Sequence, residues 1–160
     1  MITIRTARAE DEAALAKLDE RTWTPDVSPA PAPPPGTPFF GDGTRPEDVL
    51  VAEQDGVVAG YVRLGEGFGI PAHRHVVVID GLAVDPDRQR LGIAGRLVEA
   101  AVAEAGRRGA RKVTLRVLGP NTGARRVYER CGFVVEGVLR GEFHLDGTDV
   151  DDVLMARSLA

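Results

Sequence analysis

The stretch Val84–Leu97, VDPDRQRLGIAGRL, decides how this chain is read. A nearly continuous apolar run, HVVVIDGLAVD, leads into it and reads as a central strand buried on both faces. Beyond it, GIAGRLVEAAVAEAGRRG carries Ala94, Leu97, Val98, Ala101, Val102 and Ala105 at helical spacing, with Arg96, Glu99, Glu104 and Arg107 turned elsewhere and Gly109 placed to end the helix. The first N–H groups of such a helix have no internal partner, and the helix dipole adds partial positive charge. Gly92 and Gly95 remove side chains that would block an anion, Ala94 is nearly as small, and Arg88, Arg90 and Arg96 add cations. The junction therefore suits a phosphate or diphosphate. The alternative is a tight strand–helix turn with solvated arginines. A nucleoside triphosphatase loop is excluded, because the GxxxxGK[ST] lysine and hydroxyl are missing.

Working outward, ITIRTA alternates as a first strand, and AEDEAALAKLDERTW follows as a helix with an acidic start and Ala14, Leu15, Leu18 and Thr22 near one face. Residues 24–46 hold eight of the eleven prolines, a density that neither helix nor sheet survives. That segment reads as a loop or lid within one domain covering residues 1–160. DVLVAEQDGVVAGYVRL is a hairpin turning at Asp55-Gly56. GEGFGIPAHR lacks the full GxGxxG spacing, so no dinucleotide fingerprint is assigned. KVTLRVL is a strand, NTGARRVYERCG a short helix with Asn121 as cap and Gly132 as stop, and FVVEGVL and DVLMARSL are strands around Asp146-Gly147. The order predicts an α/β fold: a mixed, mostly antiparallel twisted sheet with a central β-α-β unit and flanking helices.

With 43% hydrophobic residues, 160 residues suffice for one core. A net charge of −4 gives no electrostatic case for nucleic acid. Cys131 is the only cysteine, so no intrachain disulfide forms; packing is its expected role. The charged start is unlike a signal peptide, and no run approaches the roughly 20 apolar residues of a membrane span. A cytoplasmic protein without membrane or nucleic-acid partners is expected. His73-x-His75 could share a strand face, but a third ligand is missing nearby, so no metal is assigned.

Two sets of residues resemble one family. Val84-x-Pro86 followed by Gln89-x-x-Gly92-x-Ala94 is similar to the acyl-CoA diphosphate signature of the GNAT superfamily of N-acyltransferases. Asn121-x-x-Ala124-x-x-x-Tyr128-x-x-x-Gly132-Phe133 resembles that family's second signature, in the expected order. The resemblance implies a GNAT-like fold whose central strand splays from its neighbour. Gly81 could mark the kink. It implies acetyl-CoA as cosubstrate, with Leu82, Ala83 and Val84 along the pantetheine arm and acyl group. Arg90, Leu91, Gly92, Ile93, Ala94 and Gly95 would form the diphosphate cradle, with Asn121 beside the cofactor or capping its helix. Tyr128 would be the general acid, the other reading being a core tyrosine. A homodimer through the late strands is also compatible with the resemblance.

The implied reaction is direct acetyl transfer to a primary amine of a small molecule or peptide. Asp80 is the leading candidate for the general base, with Glu142, His144, His73 and His75 as rivals, and a water chain without a single base as the alternative. Protein-acetylating relatives carry a glutamate where Arg116 stands here, so this chain departs from that subgroup. Other readings are protein N-terminal or lysine acetylation, an enzyme for longer acyl chains, and a non-catalytic acyl-CoA sensor. Trp23, Phe39 and Phe40 could line an acceptor pocket, and Asp146, Asp149, Asp151 and Asp152 could receive a cationic amine or form a solvated turn.

Overall fold

A computed structural model describes residues 1–159. The elements run β1 (Ile2–Thr6), α1 (Glu12–Thr22), β2 (Val49–Gln54), β3 (Val57–Gly65), β4 (Val76–Val84), α2 (Ile93–Arg107), β5 (Lys112–Leu118), α3 (Thr122–Arg130), β6 (Val134–Leu145) and β7 (Thr148–Ser158). They build one seven-stranded sheet ordered β1-β2-β3-β4-β5-β7-β6, in which only β4 and β5 run parallel. This is the mixed, mostly antiparallel architecture expected from the sequence. The hairpins turn at the predicted dipeptides, Asp55-Gly56 and Asp146-Gly147, where all four residues take positive φ as a tight turn with the sheet's twist requires.

Two apolar clusters sit on opposite faces of the sheet. The larger packs α2 and α3 onto the strands through Ile93, Leu97, Val98, Ala101, Val113, Leu115 and Met155. The smaller joins Leu15 and Leu18 of α1 to Val49, Val51 and Tyr61. Two helical faces differ slightly from expectation. Ile93 takes the buried place given to Ala94, which is half-buried, and Ala14 is exposed. β6 also runs further than predicted, through Leu145. Residues 65–74, read as a loop, contain one turn of 3-10 helix at Pro71–His73. His73 and His75 both precede β4, so they do not alternate along a strand; their rings are 6.5 Å apart.

The proline-rich segment forms no regular element between α1 and a short turn at Pro46–Asp48. Its end is nevertheless pinned. The Glu12 carboxylate accepts the N–H groups of Phe39 and Phe40, and the Phe39 ring meets Tyr61 edge-on at 5.0 Å.

Arg5 on β1 donates to both oxygens of Asp11, at 2.8 and 2.9 Å, and Arg8 N–H adds a third bond at 2.7 Å. The Arg5 hydrogen bonds, then the backbone N–H, hold the Asp11 carboxyl below the ordinary carboxylate range. A depressed native pKa contributes stability that is present above the unfolded value and lost as pH falls through the native one. Thermal melts are therefore expected to decline steeply as the pH drops below about 4. Asp11→Ala should cost on the order of 3 kcal/mol at neutral pH and flatten that acid limb.

Candidate active site

β4 and β5 pair only from Val76↔Lys112 to Ile79↔Leu115. Beyond Ile79 they part. β4 continues with β3 alone to Val84, and β5 continues with β7. The parting coincides with a bulge. Arg63 and Leu64 on β3 face Gly81 and Ile79 on β4, which leaves Asp80 as the extra residue beside the predicted kink at Gly81. From Asp80 to Val84 the β5-facing edge of β4 has no strand partner, so its backbone groups remain available.

A cavity of about 920 Å³ opens at this slot. Leu82, Ala83, Val84, Arg90, Gly92, Ile93, Ala94, Gly95 and Asn121, all predicted cofactor residues, line it, together with Asp80. Leu91 differs: it is exposed and no part of the wall.

The helix termini on either side of the slot are built differently. α3 is capped, since Asn121 Oδ1 accepts the Ala124 N–H at 3.3 Å. Asn121 therefore caps its helix and lines the cavity at once. α2 has no side-chain cap. Its first helical bond runs from Arg96 N–H to Gly92 O, so the N–H groups of Ile93, Ala94 and Gly95 lack helical partners. Gly92 precedes them at φ 77°, a left-handed conformation that glycine adopts without penalty. Arg90 and Arg130, also on the wall, have no carboxylate partner among the described residues. This end of the cavity presents free donors and free cations.

The other end is made by α1, β3 and β4 and holds residues that the sequence reading missed. Tyr61 donates its hydroxyl hydrogen bond to Asp19 Oδ1. Burial pushes the Asp19 carboxyl up from its ordinary value and, with Asp19 itself, pushes the Tyr61 hydroxyl far up. Arg63 donates from Nε to Asp80 at 2.7 Å, from one terminal nitrogen to Thr44 at 3.0 Å and from the other to the Asp80 carbonyl at 3.2 Å. Gly65 makes room for that arrangement: a Cβ there would stand 2.6 Å from Asp80 Oδ2. A signal for Tyr61 and Arg63 did exist. They alternate on one strand face, in a hairpin adjoining the central strand.

Trp23 lines the cavity, whereas Phe39 and Phe40 pack against the smaller core cluster. Tyr128 is not itself part of the cavity wall: it is buried on α3, next to Val127, which does line the cavity, with its ring centroid 6.0 Å from that of Phe133. Its hydroxyl has no hydrogen-bond partner among the described residues, and burial raises its pKa well above the usual tyrosine value. Cys131 is a buried free thiol, pushed up to about 11 by burial. His144 pairs with Asp149 at 2.8 Å on the exposed β6–β7 hairpin, and His73, His75, Glu142 and His144 do not line the cavity. Nor do Asp146, Asp149, Asp151 and Asp152. Asp152 is instead buried against Arg116, whose Nε lies 2.7 Å from Oδ2.

The profile of the GNAT acetyltransferase family matches residues 13–133. This chain belongs to that family. It is 33% identical over 85 residues to the uncharacterized N-acetyltransferase YhfO of Bacillus subtilis, an overlap of 53% of this chain and 57% of YhfO. The chain thus spans little more than half the length of that relative. Among solved structures, smu.2055 from Streptococcus mutans superposes with a TM-score of 0.87 at 27% identity, covering 99% of both chains. A GNAT superfamily phosphinothricin acetyltransferase from Sinorhizobium meliloti, solved in complex with acetyl-CoA, shares the fold with a TM-score of 0.84 at 20% identity. That match covers 99% of this chain and 89% of the other. No helix among the described residues is long and apolar enough to cross a membrane.

Proposed function

We propose that this GNAT protein transfers an acetyl group from acetyl-CoA to the primary amine of a small molecule or peptide, by direct attack on the thioester. One observation carries the reading: an uncapped helix N-terminus opens into the slot where β4 leaves β5. The N–H groups of Ile93, Ala94 and Gly95, with Arg90 and Arg130, grip the diphosphate. The unpartnered edge of Leu82, Ala83 and Val84 binds the pantetheine arm as an added strand would be bound. An N–H of that edge polarises the thioester carbonyl, a contribution of about 3 kcal/mol in the transition state. The S. meliloti acetyltransferase, which has the same fold and holds acetyl-CoA, supports this choice of cosubstrate.

Tyr128 supplies the proton to the leaving thiolate. Its hydroxyl is held neutral by burial and has no competing partner among the described residues. Asp80, extruded by the bulge at the cavity wall, is placed to take a proton from the attacking amine while Arg63 fixes its carboxylate. Cys131 does not form an acyl intermediate. Burial first, and then the Glu99 carboxylate beside it, keep its thiol protonated at neutral pH.

Thiol release from acetyl-CoA across a panel of primary amines tests the reading. The expected outcome is amine-dependent release of one thiol per amide formed. Calorimetric binding of coenzyme A with no release from any amine would instead identify an acyl-CoA sensor. Asp80→Asn should move the acid limb of the kcat/KM profile, and an unmoved limb would remove Asp80 from the mechanism.

A further inference from the structure

The charged groups left without an ion-pair partner at the two ends of the cavity differ in sign. At the α2 end, Arg90 and Arg130 are unpaired among the described residues. At the α1 end, both arginines on the wall are committed. Arg21 bonds to Asp85 at 2.9 Å and Asp87 at 3.1 Å, and all three Arg63 nitrogens are occupied by Asp80 and Thr44. A carboxylate entering there would find no free guanidinium. It would face Asp19 and Asp80, both on the wall.

Asp19 is the group with capacity to spare. Tyr61 holds Oδ1, and Oδ2 has no partner among the described residues. The pair is seated firmly. Tyr61 is buried, its ring is clasped edge-on by Phe39, and its edge lies against Gly81, where a Cβ would stand 3.4 Å from the ring. Trp23 and Val27 add an apolar wall at the same end.

Resting on the transferase reading above, we infer that the acceptor is a primary amine bearing no carboxylate, whose ammonium is received by Asp19 with Tyr61 as the positioning residue. The ammonium gives one proton to Asp19 Oδ2 and the freed nitrogen lone pair forms the new C–N bond. The C–S bond breaks, and the departing thiolate takes the Tyr128 proton. Asp80 takes the second amine proton as the C–N bond forms and returns it to Tyr128 through solvent, while Asp19 passes the first to water, so each turnover releases one proton. Trp23 and Val27 favour an alkyl or arylalkyl carbon frame over a polar one.

Matched pairs differing only by the carboxylate test this: phenethylamine against phenylalanine, and pentane-1,5-diamine against lysine, each assayed by thiol release from acetyl-CoA. The expected result is a kcat/KM at least about 10-fold higher for the amine of each pair, because Asp19, which has no cationic partner among the described residues, repels the amino acid's carboxylate, and both wall arginines are already paired. Equal or better turnover of the amino acids overturns the inference and leaves the transferase reading standing. Thiol release from none of the four, with coenzyme A still bound in calorimetry, overturns the transferase reading itself and the inference with it. Asp19→Asn should raise the KM for phenethylamine by about 10-fold or more while the calorimetric affinity for coenzyme A stays unchanged. The unchanged affinity reports that the variant is folded. An unchanged KM in that folded variant counts against Asp19, and Tyr61→Phe should give a smaller rise in the same direction.

Discussion

Gly92→Glu is expected to abolish coenzyme A binding, with a loss of at least about 100-fold, while the protein still melts cooperatively. The fold tolerates a side chain at this position: nothing lies within 4 Å of where a Cβ would stand. The left-handed backbone, at φ 77°, costs a non-glycine residue about 1 kcal/mol, well below a typical domain's stability. The damage is electrostatic. A carboxylate at the mouth of α2 satisfies the N–H groups of Ile93, Ala94 and Gly95 from within the chain and repels the diphosphate they would grip. Gly92→Ala separates the two effects. It carries the strain without the charge, and its affinity loss should stay below about 10-fold. Calorimetry with coenzyme A, alongside a thermal melt of each variant, makes the comparison. Wild-type affinity in Gly92→Glu would show that the diphosphate does not sit at this helix.

Tyr128→Phe should lower kcat about 100-fold with the KM for acetyl-CoA little changed. The substitution keeps the ring that packs near Phe133 and removes only a hydroxyl with no partner among the described residues, so no hydrogen bond is lost from the resting fold. On the proposed mechanism, what it removes is the proton for the leaving thiolate. The defect should therefore shrink when the acyl group is presented on a more acidic thiol, which leaves without help. A structural role for Tyr128 would lower turnover of both donors alike. Full activity of the variant with acetyl-CoA would mean that solvent protonates the thiolate.

The α2 half of the cavity wall was legible in the sequence because its logic is local. Gly92, Ala94 and Gly95 shape a turn, Asn121 caps the helix that follows the next strand, and neither feature needs knowledge of distant residues. The parting of β4 from β5 announced itself in part through Gly81, although the residue extruded there is its neighbour Asp80. The acceptor half was not legible. Asp19 and Tyr61 are 42 positions apart and meet only because α1 lies across β3, a contact that no spacing in the sequence encodes. The acidic run near the chain's end follows the plainer of its two readings, that of a hairpin turn. Asp146, Asp149, Asp151 and Asp152 crowd together in sequence and line no part of the cavity: Asp149 pairs with His144, Asp152 lies against Arg116 of β5, and the two carboxylates of the cavity, Asp19 and Asp80, come from α1 and β4. His73 and His75 do not share a strand face because a turn of 3-10 helix takes up Pro71–His73 and β4 begins only at Val76.

The grip of Glu12 on the backbone of Phe39 and Phe40 bears on how this protein can change. Those bonds engage main-chain N–H groups, and the Phe39 ring is seated on Tyr61, so the far end of the proline-rich segment is anchored without any help from residues 25–36. The near end simply continues from α1. Lengthening an already long loop adds little closure entropy, about 0.6 kcal/mol for a doubling. The stretch in between is thus a tether that mutation can rewrite at small thermodynamic penalty, and Trp23, Thr24, Val27 and Ser28 at its beginning line the cavity. The shape of that wall can drift there, one replacement at a time, while the sheet and the uncapped mouth of α2 stay as they are.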